Sequence, residues 1–159
     1  MSGVGIVWQF CRYIDSKLNL RNAEEFLDLV ALGNCADMMS MLSAETKTLI
    51  KEGFKEENIH NPFIEYMIDK NSFSLNKAEY KSYDEESACT SMGAAFFIVP
   101  FINATTRSGT IDEKKMLFKS MLSFEAFEKV PEIKYGKDTG YDEYLVVQAV
   151  RVVQGVKRR

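Results

Sequence analysis

Histidine, cysteine, proline and glycine are all scarce in this sequence, and each shortage removes a class of protein. The 159 residues include a single histidine, His60. Ser-His-Asp and Cys-His nucleophile schemes would have to use it, which makes both weak. It precedes Asn61-Pro62 in a turn, with no cysteine or carboxylate cluster beside it, so a surface or capping role is expected. The three cysteines, Cys11, Cys35 and Cys89, stand far apart with no CxxC pair. That spacing argues against a disulfide framework and a structural zinc site, and predicts buried thiols in a reducing compartment. Nine glycines and three prolines exclude collagen-like and low-complexity chains. Gly3-Val4-Gly5 lacks the third glycine and the preceding strand of a dinucleotide fingerprint.

Long apolar runs and an excess of positive charge are missing as well. The longest apolar run, Gly93 to Ile102, is about half the ~20 residues a membrane helix needs, and Pro100 interrupts it. The apolar start, Met1 to Phe10, has no basic residue ahead of it and makes a poor signal peptide. A soluble, cytoplasmic chain without a membrane partner is expected. Twenty Lys and Arg against twenty-three Asp and Glu give a net charge of −3, with a pI near 5.3. Bulk charge therefore cannot draw the chain to nucleic acid, and any such contact has to be local.

What is present is helical periodicity over a chain that is 46% apolar. Val4, Val7, Trp8, Cys11, Ile14 and Leu18 recur at three- and four-residue steps on one face of a helix over 4–18. Asn22 and Glu25 resemble a capping box opening a second helix, apolar on nearly every side and so the most buried. Ser43 is placed to cap a third that stops near Gly53. Asn61-Pro62 is placed to start a fourth. Polar residues dominate 69–86 and read as a connection. A long helix is then expected from about Asp84 to Val99, ending at Pro100. Thr110-Ile111-Asp112-Glu113 has the Thr-x-x-Glu capping-box form. Lys134 to Gly140 reads as a loop, and a last helix is expected from about Asp142. No strand, hairpin or internal repeat is legible, so the fold class is mainly α. The chain begins almost inside a helix and stops at Lys157-Arg158-Arg159 without a cap, which suggests a piece of something larger.

Two stretches hold the candidate chemistry. Asp37 closes the apolar run Leu29-Val30-Ala31-Leu32-Gly33-Asn34-Cys35-Ala36, where a carboxylate is expected to be at least partly buried. A buried carboxylate needs a hydrogen-bonding partner or a metal, and both readings stand. Pro100 to Gly109 gathers Asn103, Thr105, Thr106, Arg107 and Ser108 in what reads as an interhelical loop. Such a loop would serve either as a phosphate cradle at the next helix N-terminus or as a self-satisfied turn. In the second case Arg107 would pair with Asp112 or Glu113.

The same stretches resemble motifs of the DHH phosphoesterases, in the branch of RecJ-type single-strand-specific exonucleases. Leu29 to Met38 is similar to that family's fourth motif, in which an apolar helix delivers Ala-Asp to a two-metal centre. Glu45-Thr46-Lys47 and Leu49-Ile50-Lys51-Glu52-Gly53 follow as its acidic-x-basic segment and helix end. Pro100-Phe101-Ile102-Asn103-Ala104-Thr105-Thr106-Arg107 resembles its P-x-I-N-A-x-x-R motif. Ser2-Gly3-Val4-Gly5 resembles the helix entry just after the DHH signature. Val147-Gln148-Ala149-Val150-Arg151-Val152 is similar to the start of the helix connecting the two halves of the enzyme. The nearest in character are versions from phages and low-GC bacteria.

The resemblance implies that 1–140 is the helical later part of the catalytic region and 141–159 the start of the connecting helix. It implies an Mn²⁺- or Mg²⁺-dependent hydrolase acting on single-stranded DNA from the 5′ end. In it Asp37 would ligate metal, Asn103, Thr106 and Arg107 would hold the strand or scissile phosphate, and Lys134 and Lys137 would add phosphate contacts. The Asp-x-Asp and DHH motifs and the C-terminal DHH-associated domain have no counterpart in this sequence. One carboxylate cannot hold two ions, so the isolated chain is expected to bind no metal firmly and to be inactive. The other reading is a non-catalytic binding or interaction module. Either way an apolar surface is expected near 4–18 and 24–36, with Trp8, Phe26 and Val30 as candidates. It would meet the remainder of the parent enzyme or a self-association partner.

Overall fold

The computed structural model describes residues 1–77, 79–81, 86–134 and 136–159. Its elements are α1 (Gly3–Leu18), α2 (Leu27–Ala36), α3 (Ala44–Gly53), α4 (Pro62–Lys70), α5 (Ser72–Leu75), α6 (Ser91–Phe97), α7 (Val99–Ser108), α8 (Ile111–Ser120), α9 (Ser123–Ala126), β1 (Lys129–Lys134), β2 (Lys137–Tyr144) and α10 (Leu145–Arg158). The fold is mainly α, as the periodicity predicts. The elements form two compact units, Met1–His60 with Asn71–Val99, and Asn61–Lys70 with Pro100–Arg159. No helix among the described residues is long and apolar enough to cross a membrane.

In the first unit, α2 packs against α1, α3 and α6. Trp8, Ala23, Leu27 and Val30 form a buried cluster there, so Trp8 and Val30 are core residues rather than parts of an exposed face. The Trp8 indole donates to the Ala23 carbonyl at 2.8 Å, which fixes the side of α1 that turns inward. The apolar surface left on α1 is instead Ile6, Val7, Phe10, Ile14 and Leu18, with Phe26 exposed beyond it. Gly53 ends α3 where a Cβ would come within 2.4 Å of the Leu27 carbonyl oxygen. Only glycine lets those two helices approach so closely. The Asn22 capping box does not form. Residues Asn22–Phe26 make a 3-10 turn, because the Ala23 N–H is taken by Asp15 Oδ2 at 2.7 Å.

α2 stops in a Schellman arrangement, with Met38 N–H bonded to the Cys35 carbonyl and Met39 N–H to the Asn34 carbonyl. Met38 holds the left-handed position, φ 50°. A residue with a Cβ costs roughly 1–2 kcal/mol there.

In the second unit α10 packs on α8 and α4. Phe63, Ile64, Met67, Val146, Ala149 and Val153 supply fully buried side chains. Asn61 Oδ1 accepts from the Phe63 and Ile64 N–H groups, as expected of a cap before Pro62. Its amide also donates to the Met121 carbonyl at 3.0 Å. Thr110 and Glu113 form the full reciprocal capping box.

Three expectations need correction in this half of the chain. The helix expected from Asp84 begins at Ser91, capped by Thr90, and position 84 itself lies outside the described residues. Pro100 does not end a helix; it lies in the first turn of α7, where its missing N–H costs nothing. Residues 129–134 and 137–144 pair as an antiparallel hairpin rather than a loop and the start of a helix, with Lys134 opposite Lys137. Gly136 at φ 75° provides the left-handed turn residue, and the last helix begins at Leu145 instead of Asp142. The hairpin is tied to α10 by Gln148 Nε2, which donates to the Pro131 carbonyl at 2.7 Å. Arg151 adds bonds to both Glu143 carboxylate oxygens and, at 3.1 Å, to the Ile133 carbonyl.

Candidate nucleic-acid interface

The segment Pro100–Gly109 is helix for all but its last residue, so the candidate phosphate residues are set by helical geometry rather than by a loop. Asn103, Thr106 and Arg107 occupy positions i, i+3 and i+4 of α7 and therefore share one face. Thr106 and Arg107 are exposed and Asn103 half-exposed. Thr106 Oγ1 donates back along the helix toward the Ile102 and Asn103 carbonyls, which leaves its lone pairs outward. Thr105 is fully buried and does the same to the Phe101 carbonyl at 2.9 Å, so it belongs to the core and not to this face. The loop expected as a phosphate cradle is thus corrected to a helix face.

Arg107 makes no ion pair among the described residues. One pairing open to it in the sequence is taken up: the Glu113 carboxylate accepts from the Thr110 N–H at 2.7 Å and meets Arg159 at 2.6 Å. Those bonds, the Thr110 amide first, hold the Glu113 carboxyl below its usual range. Arg107 lies in the last turn of α7, where a cation also suits the helix dipole. A free guanidinium on an exposed helix face can bind two phosphate oxygens at once, a geometry lysine lacks. The two candidate lysines differ from each other. Lys134 is engaged with Glu132 at 2.7 Å, whereas Lys137 is exposed across the hairpin turn from it.

Asp37 does not sit as the apolar run suggests. It caps the end of α2 and is exposed, because the chain leaves the packed layer one residue after Ala36. Among the described residues, the buried carboxylates of the first unit are Asp28 and Asp15. Asp28 is fully buried and accepts from the Leu29 and His60 N–H groups at 2.7 and 3.0 Å. Both of them satisfy backbone donors, which makes them structural. Among the described residues no group of three or more His, Cys, Asp and Glu side chains converges on a point. One exposed carboxylate does not amount to a two-metal centre.

The cysteines are free. Cys89 is buried and Cys35 half-buried, and burial pushes their thiols up to about 12 and about 11. Neither is a ready thiolate nucleophile. Asn34 has a place that sequence reasoning missed. It is fully buried, its Oδ1 accepting from the Ser2 N–H at 3.0 Å. An amide inside an otherwise apolar helical run was the available signal.

No protein-family profile matches the chain, and no solved structure matches it. Two curated proteins do, each 32% identical over all 159 residues. One is an SPbeta-prophage protein of Bacillus subtilis (strain 168) bearing the name single-strand DNA-specific exonuclease YorK. The other, of Bacillus phage SPbeta, bears the same name. The chain spans 25% of the length of each.

Proposed function

We propose that the chain is part of a RecJ-like exonuclease of phage type that hydrolyses single-stranded DNA. The similarity to the two phage-derived proteins along the whole of the chain carries this reading, and the P-x-I-N-A-x-x-R stretch on α7 supports it. In this proposal the α7 face of Asn103, Thr106 and Arg107 holds the DNA backbone, and Lys137 adds a contact from the hairpin. Asp37 is one ligand of an Mn²⁺ or Mg²⁺ centre whose other ligands come from sequence of the longer relatives that this chain does not span. Residues 1–140 then belong to a DHH catalytic region and 141–159, whose helix begins at Leu145, to the start of its connecting segment. Degradation runs from the 5′ end, and the 159 residues alone release no nucleotides. The exposure of Asp37, with no second carboxylate converging on it among the described residues, favours one alternative, a non-catalytic binding module.

The test is fluorescence anisotropy with a labelled single-stranded oligonucleotide across a salt series, beside nucleotide release in Mn²⁺. Single-stranded binding is expected, with Arg107→Lys weakening it several-fold. Arg107→Ala should lower the slope of log affinity against log salt by about one unit or less. An Arg107→Ala chain that keeps affinity and slope but melts earlier would assign the residue to helix stability. Mn²⁺-dependent nucleotide release by the chain, lost in Asp37→Ala, would overturn the view that it is inactive alone.

A further inference from the structure

At the end of α2 the first unit opens a groove of about 340 Å³. Met38, Met39, Met41 and Met92 line it, with Phe96 and Asn34. No charged side chain takes part in the lining. The occupant should therefore be neutral, and a metal ion finds no anionic ligand there. Thioethers are soft and polarisable and favour aromatic rings, as does the Phe96 ring. Met38, Met92 and Phe96 are 89%, 53% and 57% exposed, and the Phe96 ring also meets the Tyr80 ring, 5.9 Å between centroids. The volume lies at the small end of ligand pockets, roughly 300–1,000 Å³, which suits a flat heterocycle better than a polypeptide helix.

Asn34 adds directionality. Its Oδ1 is committed to the Ser2 N–H, and its Nδ2 is buried without a hydrogen-bond partner among the described residues. A buried amide donor left unmade is costly, and an acceptor brought by a ligand would relieve that cost.

We propose that this groove takes one nucleobase of a single strand, lying against the methionines and Phe96, with Asn34 Nδ2 donating to a ring nitrogen or carbonyl oxygen. The proposal rests on the single-stranded DNA reading above. Each of the four bases offers an acceptor and an aromatic face, so the groove grips bases with little sequence preference. Asp37 stands between Cys35 and Met38 in the chain, so a base held here brings its own backbone near α2.

The test is nuclear magnetic resonance of the 159-residue chain with ¹³C-methyl methionine. The probes are a single-stranded oligonucleotide, an abasic strand of equal length, and millimolar deoxyadenosine monophosphate. Ring-current upfield shifts are expected at Met38, Met39, Met41 and Met92 with oligonucleotide and mononucleotide. The abasic strand should produce none, and Met67 and Met121 should stay unmoved. Phe96→Ala should weaken oligonucleotide affinity about fivefold or more. Asn34→Asp, which keeps the acceptor for Ser2 and removes the donor, should weaken it several-fold. Oligonucleotide binding that leaves the four methyls unmoved overturns the groove and leaves the α7 reading standing. Equal shifts with the abasic strand overturn base recognition. Methyl shifts with mononucleotide but Arg107-independent strand binding keep the groove and sink the α7 face. No methyl response to any probe overturns the groove.

Discussion

The first unit carries eight Lys and Arg against thirteen Asp and Glu, a net of −5, whereas the second carries twelve against ten, a net of +2. The chain-wide −3 hides that difference. The units also satisfy their buried polar groups differently. The acidic unit turns two carboxylates and an amide inward, where Asp15, Asp28 and Asn34 accept backbone N–H groups. The other unit uses side-chain amides and one ion pair, through Asn61, Gln148 and Arg151–Glu143. The lesson is that an acidic sequence can still present a locally basic unit, and the free guanidinium of Arg107 stands there. The uncharged groove stands in the acidic unit, where recognition would have to rest on ring contacts and one hydrogen bond instead of charge.

The largest test of this contrast empties each core in turn. Phe54 and Phe63 are almost fully buried, one in each unit. Either replacement by alanine should cost about 3–5 kcal/mol. Hydrogen exchange should show protection falling first within the unit that lost its ring. Equal loss across both units would mean that they unfold as one cooperative block.

A smaller effect should come from the clamp between the hairpin and α10. Glu143 is largely buried and Arg151 about a third exposed. Arg151→Ala leaves the Glu143 carboxylate with the Gln148 Nε2 donor at 3.0 Å but no cation, and frees the Ile133 carbonyl. A loss of about 2–3 kcal/mol is expected, less than for a fully buried pair because of the solvent around the guanidinium. Urea unfolding should show the shift, with amide protection lost over 129–144 before the first unit responds. Protection of the hairpin left intact would mean that its own ladder suffices.

The smallest effect separates the units by pH. Cys35 and Cys89 both belong to the first unit, and burial holds their folded pKa values above the ordinary 9.0, at about 11 and about 12. From pH 9 upward the unfolded chain gives up thiol protons that the folded unit retains, so the folded state binds more protons and stability falls as pH rises. Below pH 9 no such loss is expected. Thermal melts between pH 8 and pH 11 should show this alkaline decline, reduced in a Cys35→Ala, Cys89→Ala variant. A decline of equal size in the variant would assign it to other groups.

Three of the four helix caps were legible because a cap is a local bond spanning three residues; Asn22 was not, since Asp15 from α1 takes the Ala23 N–H. Ser43, Asn61-Pro62 and Thr110 with Glu113 all behave as their residue types require. The candidate phosphate residues were legible as a spacing, although as a loop and not as a helix face. Proline was the cause, since the first turn of a helix and a helix end are both places that accept it.

The sequence by itself therefore determined the helical class, most helix starts, and the order of the candidate residues along the chain. Tertiary structure decided which side of α1 is core, because the helix is apolar on more than one side and only the Trp8–Ala23 hydrogen bond and its packing choose between them. It decided that Asp28 and not Asp37 is buried, since burial depends on where the packed layer ends. It also decided the hairpin. Residues 129–144 lack an alternating apolar pattern, and their order depends on Gln148 and Arg151 on the following helix. Contacts of that kind join residues distant in sequence, and no local periodicity records them.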